Sequence, residues 1–111
     1  MTEYTVKRPL IRQSVHPGEI LREDILLSLG LSVSEMARRL RVSRQKLHRI
    51  LACTHPVTVE MALRIGKLAG NGPGLWLRLQ QNYDLCRAEQ VLSSELEKIK
   101  PVETPAANLS L

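Results

Sequence analysis

Residues 32–51, SVSEMARRLRVSRQKLHRIL, decide the fold. They read as two short helices joined by a tight turn, with cations crowded on the second, the pattern of a helix-turn-helix that reads duplex DNA. Ser32 and Glu35 form an S-x-x-E capping box, which places a helix start at Val33. Met36, Ala37 and Leu40 give that helix an inward stripe. Arg41-Val42 breaks the period. Ser43 caps a second helix, on which Leu47, Ile50 and Leu51 repeat the i, i+3, i+4 spacing. Ala37 is small where the two helices would cross, and Val42 is apolar inside the turn, where it plugs the angle between them. Arg44, Gln45, Lys46, His48 and Arg49 fall outside the apolar stripe. A cationic, amide-bearing face on a short helix suits phosphates and major-groove base edges.

The distribution of charge supports this reading. The net charge is +5, and the whole excess lies between Glu35 and His55, where Arg38, Arg39, Arg41, Arg44, Lys46 and Arg49 face a single anion. The rest of the chain is balanced. A localised basic patch attracts a polyanion and speeds encounter. The competing reading is a solvated helix face, which gives no reason for the sign bias to coincide with the capped two-helix pattern.

Composition bounds the remainder. A chain of 111 residues makes one domain with a modest core. With no Phe and 3% aromatic residues, aliphatic side chains on helices must fill it. No stretch approaches the roughly 20 apolar residues of a membrane span, and the N-terminus has no apolar h-region. A cytoplasmic protein without membrane attachment is expected. Cys53 and Cys86 share no motif spacing and read as small, reduced fillers.

Outward from the central stretch, residues 1–15 read as a flexible N-terminal arm, in which Tyr4-Thr5-Val6 suits a short edge strand and Lys7, Arg8 and Arg12 are either solvated or against DNA. Residues 16–90 form the helix-turn-helix domain. His16-Pro17-Gly18-Glu19 opens its first helix, with Pro17 at N1 and Glu19, Glu23 and Asp24 near the positive end of the dipole. Ile20, Leu21, Asp24, Ile25 and Leu27–Leu29 form a mixed stripe that ends at Gly30. Thr58 caps a fourth helix, with Met61, Ala62, Ile65, Leu68 and Ala69 inward and Gly70 at its end. After the Asn71-Gly72-Pro73-Gly74 turn, Leu75, Trp76, Leu79, Tyr83 and Cys86 open a fifth stripe. Leu85, Ala88, Leu92, Leu96 and Ile99 continue it near a 3.5-residue period. Residues 74–100 are either one helix of about 40 Å at 1.5 Å per residue or two pieces bent near Arg87–Gln90. Residues 91–100 extend beyond what the core covers. Their surplus stripe, Leu92, Leu96 and Ile99, seeks a second copy of the chain, with Leu85 as a further dimer candidate, or folds back on its own domain. Residues 101–111 read as a disordered tail.

Three landmarks in fixed order carry a family resemblance: HPGEIL at 16–21, SRQKLHRIL at 43–51 followed by VTVEMALRIGKLAG at 57–70, and GLWLRLQQNYDL at 74–85. Together they resemble the HigA-type antitoxins of the Cro/repressor-like helix-turn-helix superfamily, over about residues 14–90. The resemblance implies an all-α fold of five helices and a homodimer that represses its own operon at a palindromic operator. It also implies neutralisation of a HigB-type toxin, a small ribonuclease that cuts mRNA on the ribosome. By analogy with the repressor fold, Arg44, Gln45 and Arg49 are the base readers. Lys46, with Arg38 or Arg39, grips phosphate; Ser43 sets the recognition-helix N-terminus over a phosphate; Ser32, Ser34, Thr54 and Thr58 add backbone contacts. The competing role for Arg44 and Arg49 is ion pairing with Glu35 or Glu60. One departure stands out: many such units have Gly where this chain has Arg41, so either Arg41 bears a left-handed backbone costing about 1 kcal/mol or the turn is remodelled.

Other function classes fit less well. His16, His48 and His55 are scattered and share no metal-ligand spacing. No Ser or Cys nucleophile motif is present, and Gly72-Pro73-Gly74 is turn chemistry. The expectation is therefore no catalytic residue, no metal and no cofactor. A stand-alone repressor without a toxin partner uses the same reader, and the sequence does not separate it from an antitoxin. A purely protein-binding inhibitor would not need the intact cap, turn and basic face.

Overall fold

The structure, a computed structural model, describes residues 14–103. Most of the expected arm, its short strand and its cations, and most of the expected tail lie outside the described residues. Within them the chain is all-helical, with no strand. Helix α1 is one continuous rod in three pieces, Pro17–Ile20, a π-helical stretch Leu21–Ile25, and Leu26–Leu29. Helices α2 (Val33–Leu40) and α3 (Arg44–Leu51) form the helix-turn-helix. Helix α4 is Val59–Ala69 and α5 is Gly74–Glu97. Helix α2 packs on α3 and α4, α4 packs on α5, and α1 lies across α3 and α5.

Local chemistry sets each start. Ser32, Ser43 and Thr58 sit in extended backbone, and each side-chain oxygen accepts an amide of the first turn, from Glu35, Lys46 and Met61. The capping box at Ser32 is only half made. The Ser32 oxygen accepts the Glu35 N–H at 3.1 Å, but the Glu35 carboxylate turns to Arg38 and Arg39 instead of reaching back. At α1 the cap is His16, whose Nδ1 accepts the Gly18 N–H at 2.9 Å. Gly18 is required by close approach: a Cβ there would fall on the Ile50 carbonyl oxygen, at the end of α3.

The first three helices stop in the same way. Leu31 donates to Leu26, Val42 to Ala37 and Thr54 to Arg49, each closing a Schellman loop around a left-handed residue. Those residues are Gly30 (φ 66°), Arg41 (φ 63°) and Cys53 (φ 64°). Arg41 thus carries the left-handed conformation instead of a remodelled turn. The same geometry at Cys53 has no glycine to announce it.

The core is aliphatic around one indole. Leu21, Met36, Leu47, Ile50, Met61, Ile65 and Trp76 are fully buried, and Trp76 Nε1 donates to Asn71 Oδ1 at 3.1 Å. Two predicted stripes need correction. In α1 the π-helical stretch fits more residues into a turn and shifts the phase, so Ile25 and Leu26 pack on the core while Leu27 is 78% exposed. In α5 Leu75 is exposed, Cys86 is half-buried, and the position that turns fully inward beside Trp76 is Gln80. The fifth helix runs unbroken through Arg87–Gln90 as one piece, and its 24 residues span about 36 Å. Every residue from Val91 to Glu97 is exposed.

Candidate nucleic-acid interface

Helix α3 presents its polar side outward as a unit. Leu47, Ile50 and Leu51 are buried beneath it, while Arg44, Gln45, Lys46, His48 and Arg49 are exposed. Ser43 Oγ accepts the Lys46 N–H at 3.0 Å, leaving the Arg44 and Gln45 amides pointing outward at the helix N-terminus. The Arg44 guanidinium donates to Ser34 Oγ at 3.1 Å, which joins the start of α3 to the start of α2. Ser32 and Ser34 are exposed there, so both N-termini and their hydroxyls share one surface.

The ion-pair role considered for Arg44 and Arg49 is not what forms. Glu35 is taken by Arg38 and by Arg39, the latter at 2.9 Å, and Glu60 by Arg64 at 2.8 Å. Hydrogen bonds from Arg39 first, and Arg38 second, hold the Glu35 carboxyl below its usual pKa. Arg38 and Arg39 therefore share one anion, and their side chains remain 69% and 53% exposed.

The segment between α3 and α4 completes the surface. Thr54 Oγ1 donates to the Arg49 carbonyl at 3.0 Å and lies 3.1 Å from His55 Nδ1. Thr58 is occupied as the α4 cap, its Oγ1 accepting the Met61 N–H at 3.2 Å. Ser43, Lys46, Arg49, His55, Pro56 and Thr58 line a recess of about 400 Å³ between α3 and this segment. Sequence reasoning assigns Ser43, Lys46, Arg49 and Thr58 to DNA but leaves out His55, which stands beside them.

Two further arginines hold the reader in place. Arg22 of α1 donates to the Leu51 carbonyl at 2.6 Å, and Arg64 of α4 donates to the Leu40 carbonyl at 2.8 Å. Each cation closes the carbonyl end of one helix of the pair, where the dipole favours it. The Glu60–Arg64 spacing is visible in sequence as an i, i+4 pair, whereas the carbonyl partners are fixed only by the fold. Among the described residues no cluster of three or more His, Cys, Asp or Glu side chains is placed to hold a metal ion.

The stripe Leu85, Leu92, Leu96 and Ile99 lies elsewhere, from the middle of α5 to just beyond its end. Its members are 55%, 45%, 44% and 67% exposed. It does not fold back on its own domain.

An exposed, capped basic helix seated on an aliphatic bundle defines a helix-turn-helix DNA-binding protein. No protein-family model matches the chain, but relatives and solved structures do. Virulence-associated protein I of Dichelobacter nodosus is 39% identical over 98 residues, covering 88% of this chain and 90% of that protein. The antitoxin HigA of Pseudomonas aeruginosa, solved with the higBA promoter, superposes with a TM-score of 0.76 at 31% identity, over 80% of this chain and 98% of that one. A HigA-family addiction-module antidote protein from Coxiella burnetii gives 0.75 at 32% identity, over 80% and 98%. The chain belongs to the HigA-type antitoxin family of repressor-like helix-turn-helix proteins. Proteins of this family are regulators and not enzymes.

Proposed function

We propose that this chain is the antitoxin of a type II toxin–antitoxin module. As a cytoplasmic homodimer it binds a palindromic operator, represses its own operon and neutralises a HigB-type mRNA-cleaving ribonuclease. The observation that carries the DNA-binding half is the outward set Arg44, Gln45, Lys46 and Arg49 on a helix whose opposite side is locked in the core. Likeness to an antitoxin solved with its promoter supports the same half. Family membership supports the toxin half.

In this reading the N-terminus of α3 enters the major groove. Arg44 and Arg49 grip guanine O6 and N7, and Gln45 pairs with adenine N6 and N7. Lys46, the Ser32, Ser34 and Ser43 hydroxyls, and Thr54 and Thr58 beside the recess fix the register on phosphates, with Arg38 or Arg39 contributing the cation that Glu35 does not neutralise. No helix among the described residues is long and apolar enough to cross a membrane.

The test is a footprint on the promoter upstream of the gene, with and without the product of the neighbouring gene. A protected inverted repeat and a small co-purifying ribonuclease, inactive in the complex, are expected. Protection with no co-purifying partner would leave a stand-alone repressor. No protection at all would remove the DNA-binding role.

A further inference from the structure

The segment between α3 and α4 has two sides. Its front, His55, Pro56 and Thr58, lines the basic recess beside Lys46 and Arg49. Its back is Val57, which is 2% exposed and whose N–H points into the protein. A buried amide left without an acceptor forfeits its hydration with nothing in return, and no helix supplies a backbone carbonyl to this one. Gln80 of α5 supplies the acceptor instead: its Oε1 accepts the Val57 N–H at 2.8 Å, across 23 residues of sequence. An amide can turn over, and Gln80 is prevented from doing so because its Nε2 donates to Asp84 Oδ1 at 3.0 Å, one turn along α5. The same segment is held from a second direction. The His16 ring lies beside the His55 backbone and stands edge-on to Tyr83 of α5, with centroids 5.0 Å apart.

A polar side chain is an unfavourable choice for an inward position of α5, where Leu would pack the bundle without needing a partner. The backbone group that Gln80 matches belongs to the segment whose other side faces the recess. We infer that Gln80, oriented by Asp84, is a positioning residue for DNA binding: it holds residues 53–58 in the shape that presents His55 and Thr58, beside Lys46, to a backbone phosphate. This rests on the DNA-binding reading above and adds a group remote from the duplex. Without the clamp the segment samples open shapes, and affinity falls in proportion to the fraction of time it remains closed. Because phosphates carry no base identity, the loss is shared by every sequence.

The test uses the full chain and two labelled duplexes of equal length, one from its own promoter and one unrelated, titrated at several salt concentrations, with amide exchange followed at Val57. Gln80→Met removes both hydrogen bonds. Asp84→Ala, at an exposed site, frees the Gln80 amide without touching the core, and Asp84→Asn restores an acceptor. Gln80→Met is expected to weaken both duplexes alike by roughly three- to ten-fold, to leave the salt slope unchanged because the segment carries no lysine or arginine, and to speed Val57 exchange. Asp84→Ala should do the same more mildly, and Asp84→Asn should behave as wild type. A folded Gln80→Met or Asp84→Ala protein with unchanged affinity would overturn the inference, as would a loss confined to the promoter duplex. Should Gln80→Met not fold, the Asp84 pair decides between the clamp and its absence by itself. If the wild-type chain bound neither duplex, the DNA-binding reading would fail first and carry this one with it; wild-type binding with indifferent variants would remove the clamp alone.

Discussion

His16 shows how one side chain ties local and distant structure together. Its Nδ1 must be unprotonated to accept the Gly18 N–H at the start of α1. Burial lowers its pKa below 6.5, opposed by the hydrogen bond to the His55 backbone and by the Asp84 charge. The unfolded chain therefore takes up this proton more readily than the folded one. The contribution of His16 to stability is complete above about pH 6.5 and is lost as pH falls towards its folded-state pKa. Thermal unfolding followed from pH 7.5 to pH 5.5 should show the melting temperature falling, and His16→Asn, which keeps a capping oxygen and does not titrate, should flatten that fall. An unchanged slope in His16→Asn would contradict the assignment. The Glu35 carboxyl, also lowered, contributes in full above the ordinary carboxylate range and loses that contribution as pH falls from there. At this scale the sequence is legible wherever partners are neighbours. Ser32, Ser43 and Thr58 each cap an amide three residues on. The roles of Arg22, Arg64 and Gln80 have no such local signal, because their acceptor or donor lies 29, 24 and 23 residues away.

Among the elements, the helix pair is the easiest to foresee and α1 the hardest. Caps and apolar spacing define α2 and α3 without reference to the rest of the chain. The π-helical stretch of α1 has no comparable local signature, and it turns Leu27 outward against the expected stripe. That same helix carries Arg22 to the C-terminus of α3. A charge-assisted bond to a backbone carbonyl is stronger than a neutral one, but Arg22 is 44% exposed and also touches Glu23, so solvent screens much of its effect. Arg22→Met should therefore lower the urea midpoint only slightly, far less than truncating a core leucine would, with an unchanged m-value. It should also quicken amide exchange at the last turn of α3. A variant with the parent's midpoint and exchange rates would show that α3 ends securely without this contact.

For the whole molecule, α5 joins two regions with different surroundings. Its first half carries Trp76 and Gln80 into the bundle, and its second half, from Val91 to Glu97, is exposed at every residue. The length of α5 is legible, since no breaker precedes Pro101. What it meets is not, because one chain's sequence gives a stripe without its partner. In the proposed homodimer Leu85, Leu92, Leu96 and Ile99 are covered by a second copy, which sets two recognition helices about 34 Å apart on one face of DNA. Leu92→Glu with Leu96→Glu should yield a folded monomer in sedimentation equilibrium and lower operator affinity by at least about ten-fold, since two half-sites would then be bound independently. A double variant that stayed dimeric would place the interface elsewhere.

The central claim is that the outer face of α3 reads base sequence. It is tested most directly by measuring Arg44→Ala, Gln45→Ala, Arg49→Ala and Lys46→Ala binding to the operator and to an unrelated duplex side by side. The first three should each lose roughly 1–3 kcal/mol on the operator and relax the preference at one base pair, while Lys46→Ala weakens both duplexes alike and lowers the salt slope by about one. Equal losses on both duplexes for all four variants would contradict the assignment of Arg44, Gln45 and Arg49 as readers.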